Sequence, residues 1–501
     1  MMNNNLIILP IIIPIISGIV MIFFRNYIKV HRFISILATV LIGLIAILLL
    51  EQIRATGIQI LYLGGWEAPF GITLVADMLS ALLVLVTAVV TFCCLWYAFF
   101  SIDEQREKHY FYPLTSFLTA GVNGSFLTGD IFNMFVCFEV MLVASYVLIA
   151  LGGTKIQLRE SIKYILINMI SSFLFLIAVA YLYGMLGTLN LAHLSVRVAE
   201  VGQGGLMTAV AFLLLIVFCL KAALFLFFWL PGPYSAPPTA IAALFGALLT
   251  KVGIYAIIRV FSLVFYHQPG VTHLVLGILA AVSMVLGAMG AVAYWDIKSI
   301  ITYNVVVGVG FVLAGFAAFS ETGMTGSIYY LIHDMIVKAL LFLLGGTIIY
   351  LTGTGKLKDM SGLIRLQPHL GWMFFIAALS VSGIPPLSGF VGKIFITEGT
   401  FQSGYFWLGA IGLITSLMVL YSVIKVFMNV FWGYTDIKEV TENKTIKGLL
   451  MPIGVLTFIT IGLGLGAELM HEYVDLAVAV LLDSSIYIDA VLRDNLIGQG
   501  V

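Results

Sequence analysis

Charge is the scarcest thing in this sequence. Lys and Arg number 24 and Asp and Glu 24 among 501 residues, so the formal net charge is zero. Such a balance offers no basic footprint for nucleic acid, and there is no Lys/Arg-rich tail. Cysteine is nearly absent: Cys93, Cys94, Cys137 and Cys219 all sit in apolar runs, none in a CxxC pair, and read as buried structural thiols. There is no GxxxxGK(S/T) loop, so ATP does not drive the chain directly. No cysteine–histidine cluster suggests a metal or iron–sulfur site, and the histidines inside apolar runs supply no pair for haem. No cofactor or metal is expected, and any work must come from an ion gradient or a partner.

What is abundant is hydrocarbon. Hydrophobic residues make up 61% of the chain, and the mean hydropathy of +1.12 describes an all-α polytopic membrane protein. The first apolar run, at residues 6–24, has no basic stretch before it. Arg25, Lys29 and Arg32 follow it, so it reads as a retained span and not as a leader. Apolar segments of spanning length continue at 33–53, 73–100, 111–128, 130–152, 161–187, 206–230, 239–266, 271–294, 300–320, 325–352, 371–401, 404–433 and 449–469, about fourteen in all. The stretch from Met470 to Val501 is acidic, mildly amphipathic and too short in apolar length to span.

Loop charges give the orientation. Arg25, Lys29, Arg32, Arg106, Lys108, Lys155, Arg159, Lys163, Lys298, Lys356, Lys358, Arg365, Lys438, Lys444 and Lys447 fall on one side. Only Arg54, Arg197 and Arg493 fall on the other. The first side is expected to be cytoplasmic, with both termini outside a bacterial plasma membrane.

A repeat lies in the middle. Ser161–Ser195 matches Ser327–Ser361 without gaps at 10 of 35 positions. Five spans separate the copies, so they cross in opposite directions, as in many secondary transporters. Ile167, Asn168 and Ser172 of the first copy become His333, Asp334 and Lys338 in the second. The expected organisation is N-terminal helices over 1–110, a first inverted five-helix repeat over 111–266, a second over 271–433, and a last span with a short tail over 434–501. Broken helices are expected in the seventh span, beside Pro231, Pro233, Pro237 and Pro238, and in the twelfth, where SGIPPLSGF interrupts Ser382–Phe390.

Ionisable groups inside the spans are the candidate machinery: Glu139, Lys221, Lys251, Lys338 and Lys393 near the midplane, with His333 and Asp334 beside them. A charge at that depth costs at least about 2.5–3.5 kcal/mol on insertion scales. Desolvation favours the neutral form of an amine, a nearby carboxylate the charged form, so a movable carboxylate–lysine pair can hold or release a proton. Several such lysines, bridged by water and small polar groups, form a relay. Candidate bridges are Ser171, Ser172, Thr250, Tyr303, Asn304, Ser380 and Ser388. Against this stands a plain structural reading: Asp334 and Lys338, four apart, as an intrahelical pair, His333 as packing, Lys425 as a residue snorkelling to the interface, and Asp77 as a helix cap or anchor.

Three stretches carry a family resemblance: FEVMLVASYVLI around Glu139, LKAALFLFFWLPGPYSAPPTAIAALFGALLTKVGIYAIIR around Lys221 and Lys251, and IHDMIVKALLFLLGG around Lys338. They resemble the antiporter-like subunits. That family includes the large membrane subunits of respiratory NADH–quinone oxidoreductase (complex I) and the A-type and D-type subunits of the Mrp multisubunit cation/proton antiporters. The resemblance implies fourteen helices, with spans 4–8 and 9–13 as inverted repeats. It also implies roles: Glu139 as the carboxylate partnering Lys221, Lys251 as the central bridging lysine, Lys338 as its counterpart, and Lys393 as the terminal group on the broken twelfth helix. The family's proline directly after the span-seven lysine is missing, and Ala222 stands there. Length and the phrases LPGPYSAPP and LGGWEAPFGI look most like the D-type Mrp subunits.

The implied function is proton translocation within a Na⁺/H⁺ antiporter. Its expected partners are the other subunits of a hetero-oligomeric Mrp complex, the lipid bilayer, protons and Na⁺. The chain then reads as a secondary-transporter subunit and not an enzyme. Two alternatives stand beside it: a proton-pumping subunit of complex I, which would place the chain in an oxidoreductase, and a structural membrane scaffold.

Overall fold

A computed structural model describes residues 4–434 and 446–492. Lys438, Lys444 and Arg493, used above for orientation, lie outside the described residues, as does the end of the tail.

A chain with no water to satisfy its backbone must close its hydrogen bonds within helices. Every expected apolar segment carries one: α1 (Leu9–Phe23), α2 (Ile28–Thr56), α3 (Met78–Ser101), α4 (Phe111–Leu127), α5 (Ile131–Ala150), α6 (Lys155–Leu186), α7 (Leu206–Ala222), α8 (Thr239–Leu263), α9 (Pro269–Ala293), α10 (Ile297–Ala317), α11 (Glu321–Thr352), α12 (Pro368–Ser382), α13 (Ser388–Gln402), α14 (Phe406–Phe431) and α15 (Lys447–Leu465). Among the described residues, 11 helices are long and apolar enough to cross a membrane unaided. The exceptions are α4, α7, α12 and α13, of 15 to 17 residues. Two more helices, α16 (Ala467–Leu482) and α17 (Ser484–Leu492), fold back onto the body through Val474, Val478 and Tyr487.

The helices divide into a buried centre and an outer ring. α8 and α10 are almost wholly enclosed, whereas α1, α6 and α15 turn most of their surface outward. α11 runs through the centre and packs against α3, α8, α10, α13 and α15.

One non-helical element was not expected. The α2–α3 connection forms an antiparallel hairpin, β1 (Gln59–Tyr62) with β2 (Thr73–Ala76), in the register Gln59↔Ala76. The third span therefore starts later than residue 73. Asp77 begins it with a reciprocal cap: the Ser80 amide donates to Asp77 Oδ1 at 2.9 Å and the Asp77 amide to Ser80 Oγ at 3.0 Å.

Both expected breaks are present, by different means. α12 stops at Ser382 with Gly383 left-handed, and α13 resumes at Ser388 after Pro385 and Pro386. α7 stops at Ala222, short of the prolines. The turn there is made by Ala223 and Phe225, both at φ 58°. Such non-glycine conformations cost about 1–3 kcal/mol each and persist only where the surroundings hold them. The hold comes from α9, where Ser283 Oγ accepts from the Phe225 amide at 2.6 Å.

Candidate functional site

The ionisable residues gather into two groups, one at the first break and one at the centre, with Lys393 at the second break. The first joins α5, α6 and α7. Lys221 lies in the last turn of α7, buried, and its Nζ donates to Ser172 Oγ at 3.1 Å. Ser172 in turn donates to Glu139 Oε1. Glu139 and Lys221 are thus linked through a hydroxyl and not by a direct ion pair. Glu139 is only half-buried: it sits on the outer side of α5 among the exposed Val136, Val140 and Val143.

The second group is central and enclosed. Asp334 on α11 pairs with Lys251 of α8 at 2.8 Å and with Lys338 of its own helix at 3.0 Å, and all three side chains are at most 1% exposed. The intrahelical pair is therefore present, but it is half of a three-residue cluster. Two amines share one carboxylate. The cluster is neutral with one amine charged and carries a surplus charge with both, two states that differ by one proton. Lys251 is also anchored locally. Residues Phe245–Leu249 of α8 form a π-turn, which frees a carbonyl, and Lys251 Nζ donates to Gly246 O at 2.8 Å.

α8 connects the two groups. Gly253 faces the α7 break so closely that a Cβ would stand 2.5 Å from the Ala222 nitrogen and 2.8 Å from the Lys221 carbonyl carbon. Lys251 is thereby held beside the end of α7.

His333, the residue before Asp334, reaches the second break. His333 Nδ1 lies 2.8 Å from Ser388 Oγ, and Ser388 is 3.2 Å from Ser380 Oγ across the gap between α12 and α13. Lys393 is buried on α13. Its Nζ donates to Val381 O at 3.0 Å, Ser382 O at 3.1 Å and Ser416 Oγ at 3.0 Å, with the Phe311 ring at 4.6 Å. It caps the carbonyls left free at the end of α12, where a cation also suits the helix dipole.

Other sequence expectations fare differently. Lys425 is buried, and its Nζ donates to Val292 O at 2.7 Å and Tyr294 O at 2.6 Å, closing the end of α9. Of the proposed bridges, Ser172, Ser380 and Ser388 join the groups above. Ser171 donates to Val217 O and Asn304 to Ser422, while Tyr303 stacks on Tyr294. Thr250 Oγ1 is buried with no hydrogen-bond partner among the described residues. Sequence reading passed over Arg259, which pairs with Asp77 at 2.5 Å, both buried. Its spacing was the available signal: Lys251, Tyr255 and Arg259 repeat every four residues along one face of α8. Arg259 Nε donates to the Tyr255 hydroxyl at 3.2 Å, and that hydroxyl donates to Phe126 O at 2.7 Å. Among the described residues no three His, Cys, Asp or Glu side chains gather as a metal-ligating group.

Known proteins resemble this chain over nearly its whole length. The family described as NADH:quinone oxidoreductase/Mrp antiporter, transmembrane, matches residues 128–419. The D subunit of a Na⁺/H⁺ antiporter from Bacillus subtilis (strain 168) is 50% identical over 98% of this chain and 100% of its own length. The protein of the same name from Alkalihalophilus pseudofirmus is 48% identical over the same shares. In the structure of the Mrp complex from Dietzia sp. DQ12-45-1b, one chain superposes with a TM-score of 0.91 at 28% identity, over 98% of this chain and 100% of that one. A chain of the membrane-bound sulfane sulfur reductase, an archaeal respiratory membrane complex, superposes at 0.89 with 26% identity and the same coverage.

Proposed function

This chain belongs to the NADH:quinone oxidoreductase/Mrp antiporter family, and we propose that it is the proton-translocating D-type subunit of a multisubunit Na⁺/H⁺ antiporter. The observation that carries the reading is the enclosed Lys251–Asp334–Lys338 cluster. A buried carboxylate with two amines is a poor stabilising device, because desolvation offsets most of the attraction. It is a good proton store, because one proton converts it between neutral and charged states. Glu139, Ser172 and Lys221 form the first station, the cluster the second, and His333, Ser388, Ser380 and Lys393 the path to the second break.

In this reading the Lys/Arg-rich loops face the cytoplasm of a bacterial cell, both termini face outward, and residues 111–266 and 271–433 are inverted repeats. Glu139 on the outer face of α5 faces a neighbouring subunit and not lipid, since a carboxylate at that depth needs a polar partner. The chain works as a transporter subunit, with chemistry limited to proton transfer.

The test is exchange in everted vesicles carrying the assembled complex. Lys221→Ala and Glu139→Ala are expected to abolish Na⁺-driven pH exchange while the complex still assembles. Full exchange in those variants contradicts the relay roles of both residues, and lost assembly with intact exchange in whatever complex forms supports a scaffold instead.

A further inference from the structure

The segment between the α7 break and α8 lines an open pocket of about 290 Å³, together with Glu160, Tyr294, Ser299 and Tyr303. It lies at the end of the molecule that carries Lys155, Arg159, Lys163 and Lys298. Glu160 is its one acid and is 4% exposed. On the outer side its carboxylate meets Arg159 at 2.8 Å and Lys163 at 3.2 Å, both more than half exposed. On the inner side it lies against Gly232, where a Cβ would come within 2.0 Å of Oε2. Gln157 and Lys298 pin the same segment through Ala236 O at 3.3 Å and Ser235 O at 3.0 Å.

Inward of this pocket stand three buried polar groups with no hydrogen-bond partner among the described residues: Trp229 Nε1, the Tyr234 hydroxyl and Thr250 Oγ1. They are not scattered. Tyr164 and Trp229 have ring centroids 5.3 Å apart, Trp229 and Tyr234 6.0 Å, and Tyr234 and Phe245 5.8 Å. Phe245 opens the π-turn whose Gly246 carbonyl receives Lys251, and Thr250 precedes Lys251 directly. A buried donor or hydroxyl left unpaired costs about 1–3 kcal/mol, and buried Trp and Tyr polar atoms ordinarily find a partner, protein or ordered water.

We propose that these groups hold a file of water joining the pocket to Lys251, and that Glu160 is the carboxylate that collects protons at its mouth. The Glu160 carboxylate accepts one proton from solvent and releases it to the first water of the file. Successive O–H transfers deliver one proton to the neutral amine of Lys251, and Glu160 returns to its carboxylate form. Arg159 and Lys163 hold Glu160 at the mouth, and Tyr234, Trp229 and Thr250 are positioning residues for the water. The inference rests on the proton-translocating role proposed above.

The test uses the whole complex in everted vesicles. Glu160→Gln and Tyr234→Phe should lose most of the maximal Na⁺-driven exchange, with the apparent KM for Na⁺ and the yield of complex unchanged, and Glu160→Asp should restore much of the rate. A Ser235→Cys variant treated with a membrane-impermeant cationic thiosulfonate should be blocked from the Lys/Arg-rich side only, relative to the same variant untreated. Full-rate exchange in Glu160→Gln and Tyr234→Phe while Lys221→Ala is inactive overturns this path and leaves the translocation role standing. Full exchange in Lys221→Ala as well overturns the role itself and the path with it. If Glu160→Gln and Tyr234→Phe fail to assemble, the thiol experiment decides: block from that side supports the path, and no block from either side overturns it.

Discussion

The two charged groups solve one problem in opposite ways. At the first break the carboxylate is half-buried on the rim and reaches its lysine through Ser172. At the centre the carboxylate is sealed and touches two lysines directly. In the gapless match of the two sequence stretches, Ser172 and Asn168 of α6 stand opposite Lys338 and Asp334 of α11. Asn168 turns its amide onto its own helix, at Tyr164 O, 2.9 Å away. Exchanging two neutral residues for an ion pair moves the charge from a link that can open to a clamp that cannot open without stranding a charge. The rim station suits coupling to a neighbour, and the central one suits storage.

That difference predicts a gradient of effects. The largest belongs to Asp334→Asn, which strands two amines in a sealed site. Breaking a buried pair from one side costs about 3–5 kcal/mol, so thermal unfolding of the detergent-purified complex should move sharply down and exchange should vanish. Ser172→Ala should cost far less stability, because it removes one neutral hydroxyl and leaves both charged side chains of the rim station in place. Its exchange rate should drop severalfold in vesicles, and Ser172→Thr should recover it. If Ser172→Ala destabilises the complex as much as Asp334→Asn, the distinction between a loose and a locked station fails. Smallest is Lys425→Met, which removes two hydrogen bonds to the end of α9. It should cost about 1–2 kcal/mol in stability and leave the exchange rate unaltered, which sets a capping lysine apart from a relay lysine.

Much of the molecule is legible in its sequence, and the failures are instructive. The α12–α13 break is readable because proline cannot continue a helix. The extent of α7 is not, because left-handed Ala223 and Phe225 are held by a serine on α9 and leave no local mark. The β2 strand falls inside the expected third span because an apolar TLVA reads equally as helix or strand. Asp334 and Lys338 are legible as a pair four apart, but Lys251 joins them only because α8 and α11 pack together, which no spacing within one helix encodes. Lys393 and Lys425 stand out as intramembrane charges, while the carbonyls they satisfy belong to other helices, so their capping geometry is hidden. Arg259 escapes notice because its partner, Asp77, lies 182 residues away.

The most direct measurement is Na⁺-driven pH exchange by everted vesicles bearing the complex with Lys251→Ala, with assembly checked on the same preparation. A relay through the central cluster predicts an assembled complex whose exchange does not rise above background. Exchange at the unmodified rate from that complex would contradict the claim that protons pass through the buried lysines.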